Sequence, residues 1–482
     1  MPFFLLLLAL QGVSQPVPRT LQPAVVRDTV ALSLPDAVER GLRLGDEART
    51  AATQVDVADA QVTIARAAGL PQLRLNGSQS HVMQSARASA VGSIFNQPNT
   101  YTANATLSQT LFQGGRILAA SRAARHVRAA ARLDQSETTA QISLDIQRAY
   151  LDAMFARNLA DIQDTSLALA SARLAQIQEF LRAGRASRYD VLRAGVEAAN
   201  IEPIAIQARS DVELALIELK RLINFPFDQP LKLTTTIDTA TVVRWIESLL
   251  SDPAPVARPA VRAAELVAEA RHAGVRVAKA DLLPSISFTG LVGAQAFPLS
   301  GFPRSRGRFE TVPCPSDSPP DRVCSAQNGG WFGDKSFGIQ VGFPLFDGFR
   351  AKGAIDLANA QARLADLQLA QTRESVASET ATARAELDRA RAAFAARGQN
   401  AAQALEAFRL AELRQSRGLA TQLEVADAQL ALTMARTNEA RAVYDLYLAA
   451  ASYARAIGRP PQAFNLSGIV GSNSLRSITN AQ

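Results

Sequence analysis

The sequence predicts a mixed α and β membrane protein in which a β-hairpin and long antiparallel coiled-coil helices occur twice in one chain. Three observations carry this prediction. The first is a repeat at a fixed offset of 234 residues: Leu111-Phe112-Gln113-Gly114-Gly115-Arg116 returns as Leu345-Phe346-Asp347-Gly348-Phe349-Arg350. At the same offset Gly184 returns as Gly418, Ala186 as Ala420, Ser187 as Thr421, Asp190 as Glu424 and Pro226 as Pro460. The second is a set of alternating segments of about ten residues with almost no charge, the length of a membrane-spanning strand. The third is a run of 68 residues between Gly115 and Gly184 with neither Gly nor Pro. A period this long exceeds that of solenoid repeats and indicates internal duplication.

The repeat has an earlier anchor at a different offset. Leu70-Pro71-Gln72-Leu73 meets Leu283-Pro284-Ser285-Ile286 at 213, so the second copy carries 234 − 213 = 21 extra residues between the anchors. From Pro71 the chain alternates Leu73, Leu75 and Gly77 with Arg74, Asn76 and Ser78, and Tyr101, Ala103, Ala105 and Leu107 alternate with Thr102, Asn104, Thr106 and Ser108. In the second copy Ile286, Phe288, Gly290 and Val292 alternate with Ser285, Ser287, Thr289 and Leu291, and Phe337, Ile339, Val341 and Phe343 alternate with Ser336, Gly338, Gln340 and Gly342. Period two is the signature of strands. A soluble sandwich edge is the competing reading, and it would carry Lys or Glu on its wet face.

The long run is a helix of about 100 Å at 1.5 Å per residue. Ile146, Ala153, Ala160, Leu167, Leu174 and Leu181 fall every seven residues, with Ala149, Ala156, Ala170 and Ile177 three places after members of that series. Such a seam implies coiled-coil packing, and its many alanines imply close approach of the helices. Arg350 to Arg417 repeats the pattern through Leu387, Phe394, Ala401 and Phe408, interrupted only by Gly353 and Gly398. Residues 36–68 read as one helix, and 187–224 as another that kinks at Pro203. These two together nearly match the long helix, so stacked end to end they can run antiparallel beside it.

Residues 1–14 read as a signal peptide, a short apolar run followed by small residues. No Lys or Arg precedes the run, so a misplaced start is the competing reading. These readings divide the remaining chain into a first repeat, 15–226, with strands about 71–84 and 101–112, a long helix about 116–183 and a shorter helix about 187–224. A connector, 227–258, leads to a second repeat, 259–460, with strands about 284–296 and 335–346, a long helix about 350–417 and a shorter helix about 420–457. The connector and the tail 461–482 are expected to form a small mixed collar around the middle of the rod.

The formal charge of +7 is spread along the chain without basic runs, so nucleic acid is not an expected partner. His81, His126 and His272 are isolated, and no nucleophile motif, metal-ligand spacing or phosphate-binding glycine loop occurs, so neither an enzyme nor a cofactor is expected. Cys314 and Cys324 are the only cysteines. In an exported protein a pair this close reads as a disulfide, against two free thiols or a metal site.

One chain supplies four membrane strands, too few to close a barrel, and an open edge leaves backbone groups unpaired in lipid. The protein must oligomerise: eight strands from a dimer fill their own bore, whereas twelve from a trimer leave a lumen. Two hairpins, two long helices, Pro344-Leu345-Phe346-Asp347-Gly348 at a strand end and the paired Gly184 and Gly418 turns together resemble the TolC family of outer membrane channel proteins, from about Leu34 to Pro460. The resemblance implies a homotrimer whose twelve-stranded β-barrel continues into an α-helical periplasmic barrel. It implies an exit duct of a tripartite efflux or type I secretion system, docked by a periplasmic adaptor and an inner-membrane transporter of the RND or ABC type. A non-conducting periplasmic coiled-coil scaffold is the alternative, and it has no use for uncharged paired strands.

The turns at Gly184 and Gly418 suit left-handed helix ends, with Ser187 and Thr421 placed to cap the next helices. By resemblance these tips, with Arg182, Arg185 and Arg188, form the adaptor-docking and gating end; a plain solvated hairpin is the other reading. Glu424 and Asp427, spaced i, i+3, share one helix face, and six such carboxylates in a trimer make a candidate selectivity ring, with Asp190 at the matching place in the first copy. A solvated acidic face is the alternative. Gln415 and Ala420 stand where a closing network could use Tyr or Arg, which puts the latch in doubt. The sequence names no cargo, although only Met83, Met154 and Met434 beyond the initiator disfavour a Met-lined copper or silver path.

Overall fold

A computed structural model describes residues 29–84, 98–251, 258–314, 323–397 and 399–459. The signal peptide and the tail 461–482 lie outside the described residues, as does most of the first outer loop. The elements in order are β1 (Val30–Leu32), α1 (Leu34–Leu44), α2 (Asp46–Ala67), β2 (Gln72–His81), β3 (Asn99–Gln113), α3 (Arg116–Arg182) and α4 (Arg188–Leu222). Next come β4 (Leu231–Leu233), α5 (Thr239–Ser251), α6 (Pro259–Lys279), β5 (Ser285–Ala296), β6 (Phe309–Val312) and β7 (Cys324–Gln327). The chain then forms β8 (Trp331–Gly342), α7 (Arg350–Arg397), α8 (Asn400–Ser416) and α9 (Gln422–Ala456).

The main sheet is antiparallel with strand order β2-β3-β5-β8. The two hairpins have the same register once the repeat offsets are applied: Leu73 pairs with Leu107, and Ile286 with Val341. Between them β3 pairs with β5, with a bulge between Thr110 and Phe112. The outer strands β2 and β8 have no further neighbour among the described residues, and Leu73, Leu75, Phe337, Ile339 and Val341 stand exposed on them. The fourth strand begins at Trp331 and ends at Gly342, about four residues earlier than the sequence suggested. Asp334 and Lys335 look like loop residues, yet they pair with Gly293 and Val292 at the strand's outer half.

Among the described residues, the helices that flank the strands of this sheet, α2, α3, α6 and α7, all do so at one end of it. Arg116, opening α3, forms an ion pair with Asp281 in the short 3-10 turn after α6, which ties the two copies together below the strands. α3 is continuous for 67 residues. Ile146, Ala153 and Ala160 of one seven-residue series, and Ala149, Ala170 and Ile177 of the other, are buried. Leu387, Ala401 and Phe408 are buried likewise in the second copy. Gly353 does not interrupt α7, because a lone glycine costs a helix only about 1 kcal/mol.

The helix expected over 36–68 is two helices, divided at Gly45. This residue is extended (φ −64°, ψ 137°), and a Cβ there would come within 2.4 Å of the Gly41 carbonyl oxygen and 3.2 Å of that of Leu222. The break is where α4 arrives end to end: Asn224 donates to Leu44 O at 3.2 Å, and Arg40 donates to Asn224 O at 3.2 Å. α4 itself continues through Pro203.

The largest core lies at mid-length, around Ile142–Leu151 of α3 and Leu446–Tyr453 of α9. Part of the connector is built into it. β4 pairs in parallel with β1, α5 buries Val242, Ile246 and Leu249, and Trp245 lies 5.8 Å from the Tyr447 ring. Tyr150 is fully buried, and its hydroxyl donates to Leu32 O at 2.8 Å while accepting from Thr235 N at 3.2 Å. Among the described residues no helix is long and apolar enough to cross a membrane.

Candidate functional site at the helix turns

Each copy ends in a helix-to-helix turn, and both turns are built alike. Gly184 and Gly418 adopt φ of 68° and 74°, where a side chain is strained. Arg185 N–H donates to Phe180 O at 2.7 Å and Gly184 N–H to Leu181 O at 3.0 Å; Leu419 and Gly418 repeat these bonds to Arg414 and Gln415 at 2.8 and 2.9 Å. This double closure satisfies the last carbonyls of one helix. The next helix then starts with a capping box. Ser187 Oγ accepts from Asp190 N at 3.2 Å while the Asp190 carboxylate accepts from Ser187 N at 2.9 Å, and Thr421 and Glu424 exchange the same bonds at 3.3 and 3.5 Å.

Asp190 and Glu424 therefore have a structural task of their own. The Ser187 hydroxyl and then its backbone N–H hold the Asp190 carboxyl below its usual range. Glu424 also lies 3.4 Å from Arg414, on the helix that enters its turn. Asp427 is one turn further along and lines a groove of about 800 Å³ between α4 and α9, together with Arg193, Glu197, Leu430 and Met434. Arg193 and Asp427 are repeat-related positions, so a base from one copy and an acid from the other line the same groove. Glu424 has a basic partner within the chain, and Asp427 shares its groove with Arg193.

The tip arginines are exposed, but two are engaged locally. Arg182 pairs with Glu179 at 2.7 Å, and Arg185 lies over the Phe180 ring, 5.0 Å from its centroid. Arg188 is exposed at the first helical position of α4. Cys314 and Cys324 form a disulfide at the other end of the molecule, beside the β6–β7 hairpin.

Sequence reasoning missed a charged lattice at the junction of α6 and α9. Arg258, with its side chain 5% exposed, donates to Glu137 at 2.7 Å and Glu379 at 2.5 Å; Arg455 donates to the same carboxylates at 2.9 and 2.5 Å. Burial pushes the Glu379 carboxyl up, but the hydrogen bond and charge of Arg258 and the charge of Arg455 outweigh it, for a net lowering. Asp134 nearby is raised, by burial first and the Glu137 charge second.

Comparison with known proteins shows the family and the fold. The family model described as outer membrane efflux protein matches residues 47–224 and 250–459. Protein CyaE of Bordetella pertussis is 26% identical over 401 residues, covering 80% of this chain and 75% of that protein. Among solved structures, the outer membrane protein VceC from Vibrio cholerae superposes with a TM-score of 0.67 at 21% identity, covering 88% of this chain and 96% of that one. The CmeC outer membrane channel of Campylobacter jejuni superposes with a TM-score of 0.71 at 17% identity, covering 90% and 87%. With its family model matched along both copies of the repeat, the chain belongs to the outer membrane efflux protein family.

Proposed function

We propose that three copies of this chain close their four-stranded sheets into a twelve-stranded barrel and their helices into a periplasmic tunnel, making a passive exit duct. Channel function and outer membrane location come with the family, and so does the periplasmic helical extension. The observation that carries the trimeric reading is the pair of open sheet edges. β2 and β8 present exposed apolar residues and unpaired backbone, which lipid does not tolerate unless neighbouring chains pair with them. Four strands per chain make three chains the smallest number that leaves a lumen.

In this reading the turns at Gly184 and Gly418 form the periplasmic mouth. They would meet a periplasmic adaptor through Arg182, Arg185, Arg188, Ser187 and Thr421, with an inner-membrane RND or ABC transporter beyond it. Asp427 is the carboxylate best placed for a selectivity ring, since Glu424 and Asp190 are engaged in their capping boxes. Conductance in planar bilayers tests the reading. The wild-type protein should conduct, and Glu424→Ala with Asp427→Ala should alter conductance and block by divalent cations. Recovery of the native protein as a soluble periplasmic monomer would overturn the duct, and unaltered conductance and block in the double variant would overturn the ring.

A further inference from the structure

The described part of the outer loop between β5 and β8 is a built structure, and the proposed function leaves it without a task. Residues 303–308 lie as a strap along the start of β8. Trp331 N donates to Ser305 O at 3.0 Å, Gly307 N donates to Trp331 O at 2.8 Å, and the Trp331 indole donates to Pro303 O at 3.0 Å. Asn328 clamps the far side: its side-chain oxygen accepts from Arg308 N and Gly330 N at 3.0 Å, and its amide donates to Arg306 O at 3.0 Å. No Cβ fits at Gly307 or Gly330, where it would fall 2.6 Å from the Phe332 ring and the Arg306 carbonyl.

The strap holds Arg304, Arg306 and Arg308 at alternate positions, all exposed. Among the described residues only Arg308 has an acidic partner, Glu310 at 2.8 Å. Beside them is an aromatic group. Phe302 meets Tyr101 edge-on at 5.4 Å and lies 6.1 Å from Trp331, while Phe309 meets Phe332 at 5.8 Å. Phe302, Phe309 and Leu299 are themselves exposed. This group sits at the strand ends away from the helices, where aromatic side chains mark the boundary between hydrocarbon and headgroups. Arginines held just beyond such a girdle stand at the depth of lipid phosphates, and a guanidinium matches phosphate with paired hydrogen bonds.

We propose that the strap is a binding site for phosphorylated headgroups of outer-leaflet lipid, with Arg304 and Arg306 as its principal phosphate ligands and Glu310 as a brake on Arg308. The proposal rests on the membrane-spanning reading of the sheet. Its occupant is fixed by the coincidence of three cations with exposed rings at the interface, since a soluble anion would have no use for the rings.

The test uses the full-length protein in phosphatidylcholine nanodiscs doped with a bis-phosphorylated, acylated glucosamine disaccharide, or with the same lipid freed of its phosphates. Retention of the doped lipid is counted by native mass spectrometry. An arginine near an anionic surface contributes a factor of about five, so R304Q/R306Q should weaken retention about 25-fold, and E310Q should strengthen it about fivefold. Equal retention of the two lipids by the wild type, or equal retention by wild type and R304Q/R306Q, overturns the proposal. Planar-bilayer conductance separates the failures: a wild type that does not conduct discredits the duct, whereas a conducting variant with unchanged retention discredits the strap alone. If R304Q/R306Q loses conductance through misfolding, E310Q decides, and no gain in retention overturns the site.

Discussion

Replacing Arg258 by Met is the sharpest test of how the two halves of the helical rod are joined. The substitution keeps most of the apolar stem but removes three hydrogen bonds, two to Glu137 at 3.2 and 2.7 Å and one to Glu379 at 2.5 Å. Taking one partner from a buried ion pair costs about 3–5 kcal/mol. Here Arg455 still reaches both carboxylates, and the Glu379 side chain is 39% exposed, so the low end applies, about 3 kcal/mol. That corresponds to about a 150-fold larger opening constant where the helices meet. Hydrogen exchange reads it directly. The amides of Val261 and Arg262, which bond to the Arg258 carbonyl, and of Ile457 at the end of α9, should lose protection by about that factor, while those of β5 should not change. A change below about threefold at all three amides would refute the reasoning and reduce the lattice to a decorative surface pair.

The same lattice has a pH signature. The Glu379 carboxyl is lowered in the folded protein, so its stabilisation is fully present above its ordinary value of 4.5 and is lost as pH falls through the folded value; exchange at Val261 should be flat from pH 5 to 7, after correction for the intrinsic rate, and accelerate below about 4.5. Ser187→Ala and Thr421→Ala each remove a capping hydroxyl and should cost about 1 kcal/mol, seen as faster exchange confined to the first turns of α4 and α9. Cys314→Ser should lower the local order of the outer hairpin by roughly 2 to 3 kcal/mol, measured as faster proteolysis of the loop from outside the cell, with conductance unchanged.

Period and breakers made much of this architecture readable. The seven-residue series through Ile146 and Ala153 names buried positions, and alternation along Ile286–Val292 marks a strand, because in both cases one face meets a different medium from the other. Gly45 does not announce a break, because a glycine within a helical pattern is ambiguous until its neighbour is known, and that neighbour, Leu222, comes 177 residues later. At the turns, spacing revealed the caps but obscured their consequence. Glu424 and Asp427 look equivalent at i, i+3, yet the third helical position after a cap binds back to the cap while the sixth does not. The lattice was hidden because duplication does not carry it. Arg455 repeats Arg221 and Glu379 repeats Asp145, but Arg221 pairs with Glu218 and Asp145 accepts from Gln141, and Gly45 stands where the second copy has Arg258.

Shared register between the hairpins fixes one thing a lone chain does not display. The β3–β5 seam joins the second hairpin strand of one copy to the first hairpin strand of the other, and in the proposed ring β8 would meet β2 of the following chain in the same relation. Ala105 pairs with Val292, and the offsets carry these to 105 + 234 = 339 and 292 − 213 = 79. Ile339 should therefore face Gln79 of the partner subunit, and by the same arithmetic from Leu107 and Gly290, Val341 should face Gly77 of the partner subunit. If the ring closes as proposed, the strand pairing inside each protomer is the template from which the pairing between protomers can be read, strand by strand.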